Sequence, residues 1–187
     1  LYSLRLGHFA GNNELYCCER DNDINVPNIP YIDLFYLDSI VCNKQLAEMW
    51  RRKLNVVPRF VGVVLIGATE IISVFKKITP SLKMHLINTT SRDRDVHNLL
   101  EKTTKHISFT PAEEVKGQEW LKDNNIPANA KIVLLMVRDS AYMEKHISSH
   151  DWNSYSYRDC DINNFVATAE ELANMGFYVF RMGFHAK

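Results

Sequence analysis

The chain has 187 residues, 46% of them hydrophobic, and its 22 Lys and Arg balance its 22 Asp and Glu. This length can bury one sizeable core or two small ones. The zero net charge argues against general nucleic-acid binding, which needs surplus cations to displace counterions, but it permits a local basic pocket for a phosphate group. The four cysteines form no C-x-x-C pair and no spaced Cys/His set, which indicates reduced thiols in a cytosolic protein rather than a zinc site.

The first residues and the most apolar segment resemble neither a signal peptide nor a membrane span. In LYSLRLGHFAGNNE, Arg5 and His8 stand where a signal peptide has its apolar region. The apolar run that begins at Phe60 is interrupted at Thr69-Glu70, short of the ~20 residues of a span. Its apolar residues recur at helical spacing and predict an amphipathic helix. Its apolar face is interpreted as core rather than as a surface that docks on a membrane.

The first ninety residues are predicted to alternate strands and helices. A glycine-containing loop separates the first strand from the first helix, and Asn43 is the predicted N-cap of the next helix. In chain order the elements are a strand at 2–6, a helix from about Asn13, a strand near 33–37, a helix from Asn43 to before Pro58, a helix at 61–75 and a strand at 84–88.

The second half of the chain contains a clear helix start and a strand–helix–strand unit. Thr110, Pro111 and Glu113 form a capping box with proline at the first helical position. The apolar run IVLLMV predicts a strand buried on both faces, near 132–138. A helix from about Asp161, ended by Gly176, and a strand at 177–182 follow, so the two strands are expected to be parallel neighbours.

Two parallel strands by themselves cannot build a core. They are therefore expected either to join a sheet made by residues 1–90 or to belong to a longer protein. The segment RMGFHAK adds no closing element, which favours a fragment whose remainder follows on the C-terminal side.

The first candidate site is the segment GHFAGNNE after the predicted first strand. Gly7 suits a tight turn, and His8, Asn12 and Glu14 add polar side chains. The free N–H groups of a helix that starts near Asn13 would favour an anion or a polar sugar. The segment lacks the G-x-G-x-x-G pattern and a P-loop lysine, so an ordinary turn with an asparagine cap is the alternative.

The second candidate site follows the buried strand, at the edge where open α/β sheets hold ligands. The planar fork of Arg138 suits phosphate, Ser140 and nearby N–H groups can hold phosphate oxygens, and Tyr142 can stack on a base or sugar. Alternatively, Arg138 pairs with Asp159 or Asp161 and clamps the loop. Function is favoured, because an exposed ion pair contributes only ~0–1 kcal/mol.

Two further features accompany this cluster. Arg181 interrupts an apolar strand just before Gly183 and is expected at the same sheet edge, the alternative being an edge arginine that reaches solvent. His146 and His150 have the spacing of a helical metal pair, but they lack the H-E-x-x-H pattern and a third ligand, and are interpreted as surface histidines.

Five motifs stand out along the chain: Leu6-Gly7-His8 with Asn12 and Glu14, VRDSAY at 137–142, Asp151-Trp152, YRDCDI at 157–162 and Arg181-Met182-Gly183. Together they resemble a family of bacterial glycosyltransferases that is linked to surface polysaccharides and defined mainly by sequence. The segment SFTPAEEVKGQEWL, which precedes the second motif, is also similar to that family.

The resemblance implies an α/β fold of the GT-B type, in which two Rossmann-like domains face a cleft. Residues 1–107 would form the acceptor-side domain, 108–126 a connecting helix, and 127–187 the start of an incomplete donor-binding domain. The implied reaction moves a sugar from a nucleotide-diphosphate sugar to the hydroxyl of a glycan or lipid-linked acceptor, in cell-surface polysaccharide synthesis. The alternative is a non-catalytic nucleotide- or sugar-binding module of the same fold.

The resemblance also implies roles for particular residues and a setting for the reaction. No metal or cofactor is expected, and the location is cytoplasmic, including the inner face of the membrane with peripheral contact. The fragment itself is expected to be inactive. The catalytic base would be His8 or Glu14, with Asp139 as a rival. The donor diphosphate would be held by Arg138, Ser140, Arg158 and Arg181, and the rest of the donor site would be Asp139, Tyr142, Asp161 and Gly183, with Gly7 and Asn12 in the acceptor-side loop.

Overall fold

The computed structural model describes residues 1–74, 87, 94–147 and 153–183. The chain divides into two compact units, Leu1–Phe109 and Thr110–Lys187. The strand predicted at 84–88 and the motif Asp151-Trp152 lie outside the described residues, apart from Ile87.

The first unit begins with a turn and a helix, so the predicted strand at 2–6 is wrong. A turn precedes a continuous helix over 6–21, made of a π-helical turn, His8–Asn12, and the α-helix α1, Asn13–Asp21. Fully buried Ser3 explains the difference: its hydroxyl donates to the Ile40 carbonyl over 2.8 Å, and its own carbonyl accepts from the Cys42 N–H over 2.8 Å. These bonds hold the first residues against a loop, and a strand partner is not needed.

The core of the first unit forms where this helix meets α2, Lys44–Lys53. The Asn43 side chain caps α2 as predicted, accepting from the Leu46 N–H over 2.9 Å. In the π-helical turn the Phe9 carbonyl accepts from the Trp50 indole N–H over 2.9 Å and from the Asn13 amide over 2.8 Å. Around this contact lie the buried residues Phe9, Tyr16, Cys17, Phe35, Leu37, Leu46, Ala47, Trp50 and Leu54.

The segment predicted as a second strand is extended but pairs through one isolated bridge, Phe35 with Val56. It is followed by α2, by α3, Arg59–Val74, and by the short α4, Leu99–Lys102. Gly62 of α3 lies against Tyr36: a Cβ added to Gly62 would come within 2.8 Å of the Tyr36 Cβ. The absence of a side chain at Gly62 therefore lets α3 approach the extended segment closely.

The outer side of α3 departs from the expectation of a core helix. Phe60 is 72% exposed, Val63 46% and Val64 66%. Among the described residues no helix is both long and apolar enough to cross a membrane. The predicted helix is thus confirmed, whereas the prediction that its apolar face is core is wrong for Val64, which belongs to that face.

The second unit begins with α5, Pro111–Asp123, which the predicted capping box starts: Thr110 N–H donates to Glu113 over 2.7 Å, and the Glu113 N–H donates to the Thr110 hydroxyl over 3.3 Å. The strands predicted near 132–138 and at 177–182 are both present in the structure. Gly176, predicted to end the last helix, adopts φ +85° there. The remaining elements are β1, Lys131–Leu135, α6, Ala141–His146, two 3₁₀ turns, Asn153–Arg158 and Ile162–Phe165, α7, Val166–Asn174, and β2, Phe177–Arg181.

The two strands are parallel neighbours, in register from Lys131 with Phe177 to Leu135 with Arg181. They form the whole of the sheet in the described part of the chain, so unit one contributes no strand to it. Ile132 is 41% and Leu134 57% exposed, which makes the prediction of a strand buried on both faces wrong. A two-stranded sheet is too small to test the expected pair of Rossmann-like domains.

The hydrogen bond between Trp50 and Phe9 predicts a marked cost for Trp50→Phe. The change removes the indole donor inside a fully buried contact and leaves a small void, so the free energy of unfolding should fall by about 1–3 kcal/mol. Urea unfolding followed by circular dichroism measures it. The same substitution at Trp120, which is 53% exposed, should cost less than about 0.5 kcal/mol. Equal effects at the two positions would contradict the prediction.

The contact between Gly62 and Tyr36 predicts opposite effects for one substitution at two glycines of α3. Gly62→Ala should destabilise by about 1–3 kcal/mol, because the new methyl overlaps the Tyr36 side chain. Gly67→Ala should stabilise by about 0.5–1 kcal/mol, because nothing lies within 4 Å of its added Cβ and alanine favours a helix. Thermal unfolding of both variants measures these changes in stability, and a stabilised Gly62→Ala variant would contradict the prediction.

Candidate functional site

The carboxyl ends of β1 and β2 bring Arg181 and Asp139 together. The Met182 N–H donates to the Leu135 carbonyl over 2.9 Å, which extends the strand pairing past the end of β2. The Arg181 guanidinium then donates to Asp139 Oδ2 over 3.2 Å. Arg181 is expected from the sequence at the same edge of the sheet as Arg138, and this expected position is therefore confirmed.

Arg138 pairs with Asp159, one of the two partners foreseen for it. Arg138 Nε lies 3.3 Å from Asp159 Oδ1, and the Arg138 carbonyl accepts from the Cys160 N–H over 2.9 Å. Asp161, the other foreseen partner, instead caps a 3₁₀ turn by accepting from the Asn163 N–H over 2.9 Å. The Arg138 side chain remains 44% exposed, so a ligand can still reach its guanidinium.

The residues after Arg138 form the first turn of α6. Asp139 Oδ1 accepts from the Ala141 N–H over 3.0 Å, while its other oxygen holds Arg181. The Ser140 hydroxyl donates to Glu144 Oε1 over 2.5 Å. The Tyr142 ring lies beside His146, with centroids 4.5 Å apart. Asp139 thus joins the strand edge to the following helix, and Ser140 would have to turn from Glu144 to bind a phosphate.

Two further predicted donor-site residues flank this edge. The Arg158 guanidinium lies over the Tyr157 ring, 5.3 Å from its centroid. Gly183 follows β2 with φ +145°, a backbone conformation that favours glycine.

The predicted acceptor-side residues lie on a helix and not in a loop. Gly7 has φ −60° and ψ −47°, so it is helical rather than the turn of a βα unit. Asn12 is buried, and the half-buried His8 ring lies 6.2 Å from the Tyr2 ring. Six positions separate His8 from Glu14, about a third to a half turn around the helix. Their side chains therefore leave different sides of it.

Glu14 is held by His106, a residue that the sequence did not single out. Glu14 Oε1 lies 3.0 Å from the His106 backbone N and 2.9 Å from its Nδ1. His106 Nε2 lies 2.9 Å from Asp21 Oδ2, and its side chain is 3% exposed. Since a neutral imidazole has one N–H, the ring donates to both carboxylates only when doubly protonated. Ninety-two positions separate His106 from Glu14, so no local pattern could have revealed the pair.

The atoms of Glu14, Cys18 and His106 that could bind a metal lie within 4.8 Å of one another. Each of them already has a protein partner, because the Thr103 hydroxyl donates to Cys18 Sγ over 2.8 Å and His106 donates to Glu14. Burial raises the pKa of the Cys18 thiol, and the thiolate is the form that binds metals. The cluster is therefore interpreted as a set of hydrogen bonds that holds α1 against the segment around His106.

A cavity of about 540 Å³ in the first unit was not foreseen from the sequence. Its lining combines apolar side chains with the polar groups of Tyr2, Asp33, Tyr36, Asp38 and Arg59, and Asp33 also accepts from the Arg20 guanidinium over 3.3 Å. No side chain of the predicted acceptor-side segment 7–14 lines it. The lining residues are Leu1, Tyr2, Ile32, Asp33, Leu34, Phe35, Tyr36, Asp38, Val57, Arg59, Gly62, Val63, Leu65, Ile66 and Ile87.

Comparisons with protein-family models, with curated proteins and with solved structures gave no match for this chain. The resemblance to glycosyltransferases therefore stays a prediction from the sequence motifs, and the geometry of the two sites is the basis for a functional proposal.

Proposed function

We propose that the chain belongs to a glycosyltransferase that moves a sugar from a nucleotide-diphosphate sugar to an acceptor hydroxyl. One observation carries the proposal: of two neighbouring parallel strands, β2 ends in Arg181 and β1 is followed three residues later by Arg138, and both arginines are held by aspartates. Carboxyl ends of parallel strands are where open α/β sheets bind ligands.

The proposed donor site matches the charge that the reaction develops. As the glycosidic bond breaks, the leaving diphosphate gains negative charge, and fixed cations lower the free energy of that state. The side chains of Arg138 and Arg181 are 44% and 32% exposed, so both can reach a ligand. Asp139 and Asp159 orient the two guanidiniums beforehand, which reduces the entropy lost when the diphosphate binds. Ser140, Tyr142 and Arg158 complete the proposed donor site.

On the acceptor side, His8 is the better candidate for the base. Glu14 Oε1 accepts from the His106 backbone N–H and lies 2.9 Å from His106 Nδ1, so this oxygen is already engaged by the protein. His8 is half-buried, and its described ring contact is with Tyr2. The unforeseen cavity is lined in part by Tyr2, whose ring lies 6.2 Å from that of His8, and it is the proposed acceptor site.

The donor site predicts that Arg138→Ala abolishes sugar transfer with little loss of stability. Losing one charge-assisted contact costs about 1.5–3 kcal/mol, or roughly 10- to 100-fold in rate, and more where charge develops. The pair with Asp159 is partly exposed, at 44% for Arg138 and 23% for Asp159, and an ion pair of this kind contributes ~0–1 kcal/mol to folding. Donor turnover and melting temperature are measured on the protein including any C-terminal remainder.

Arg138→Lys and Asp159→Asn are the matched variants for that experiment. Lysine should restore part of the activity, because an ammonium lacks the bidentate fork. Asp159→Asn should retain most of the stability and part of the transfer. Wild-type turnover in a destabilised Arg138→Ala variant would assign Arg138 to structure and remove the main support for the donor site. Donor binding without any turnover by the wild-type protein would favour the non-catalytic binding module.

The contrast between His8 and Glu14 yields a second prediction. His8→Ala should lower the rate of transfer by ~100-fold or more while leaving the melting temperature within a few degrees. Glu14→Gln should do the reverse, since it weakens a buried contact with His106 and leaves the base intact. The transfer rates and melting temperatures of the two variants show which of the two residues is the base. A stable but inactive Glu14→Gln variant would reassign the base to Glu14.

A further inference from the structure

Helix α3 is apolar on two sides, and the first unit covers one of them. Gly62 and Ile66 lie on the side that faces the cavity and Tyr36. Phe60 and Val64, spaced i and i+4 and 72% and 66% exposed, form a stripe on the exposed side that we call the α3 face. A helix that is apolar all round is normally buried, so this exposed stripe indicates a binding surface.

The residues before the α3 face carry a concentration of positive charge. Between positions 44 and 77 the sequence has seven Lys or Arg and two Glu, although the chain as a whole is balanced at 22 of each sign. Arg51, Arg52 and Lys53 form the last turn of α2, and Arg59 begins α3; all four are exposed. Glu48, the acidic residue of α2, pairs with Arg51. The surplus cations therefore lie close to the apolar stripe along the chain.

We propose that the α3 face docks on an anionic lipid bilayer, with α3 in the headgroup region and the basic residues at 51–59 against the lipid phosphates. Apolar side chains next to Lys and Arg are the composition of helices that lie in a membrane interface. A second copy of the chain fits less well, because a symmetric contact through α3 would bring two basic segments together. This docking does not depend on the proposed sugar transfer.

Co-sedimentation with lipid vesicles tests the docking. The protein should pellet with vesicles of three parts phosphatidylcholine to one part phosphatidylglycerol, and at least tenfold less with phosphatidylcholine alone. Raising NaCl from about 0.1 M to about 1 M shortens the Debye length from about 10 Å to about 3 Å and should release most of the bound protein. No binding to the anionic vesicles would overturn the proposal, as would equal binding to both.

Val64→Asp and Val115→Asp form a matched pair of variants. Both valines are exposed on helices, at 66% and 56%, but Val115 belongs to α5 in the second unit. Val64→Asp should lower the partition coefficient at least tenfold and keep the wild-type circular dichroism spectrum and melting temperature. Val115→Asp should bind vesicles as the wild type does.

Three outcomes of the variant experiment would overturn the proposal. The first is wild-type vesicle binding by Val64→Asp, and the second is an equal loss in Val115→Asp. The third is self-association of the wild-type protein in sedimentation velocity without lipid, abolished by Val64→Asp. That last result would make the α3 face an interface between two copies of the chain.

Discussion

The first unit depends on the hydrogen bonds that converge on the Phe9 carbonyl. This oxygen lies in the π-helical turn, and the indole of Trp50 and the side-chain amide of Asn13 both donate to it. Phe9 and Trp50 are completely buried, so the carbonyl would be costly to desolvate without these donors. The contact sets how the N-terminal helix crosses α2, and the rest of the core packs around the pair.

In the second unit, two ion pairs between partly exposed side chains fix the arginines near the carboxyl ends of the strands. Asp139 holds Arg181 with one oxygen and caps the first turn of α6 with the other. Asp159 holds Arg138. Such exposed pairs stabilise a fold weakly, but they limit where the guanidiniums can point. Prior orientation of this kind favours an anion binding at the strand ends, which is why we regard the pairs as support for a donor site.

Glu14 and His8 lie on the same helix of the first unit, but in the described part of the chain only Glu14 is held by hydrogen bonds to a distant residue. Glu14 is fixed by His106, which also contacts Asp21, and these contacts engage Oε1, one of the two oxygens of the Glu14 carboxylate. His8, on another side of the same helix, has no comparable burial. The division of one helix into a structural carboxylate and a less buried histidine is the physical reason for choosing His8 over Glu14 as the base.

The sequence by itself determined the features that depend on nearest neighbours along the chain. The caps at Asn43 and Thr110, the stop at Gly176 and the parallel pairing of the last two strands all follow from local spacing and short crossovers. Only the tertiary structure decided whether residues 2–6 form a strand, because buried Ser3 bonds to a loop 37 positions away. It also decided that His106 meets Glu14, that Arg138 pairs with Asp159 rather than Asp161, and that Phe60 and Val64 are exposed. These outcomes depend on which distant segments come together, and a pattern of period two or 3.6 carries no information about that.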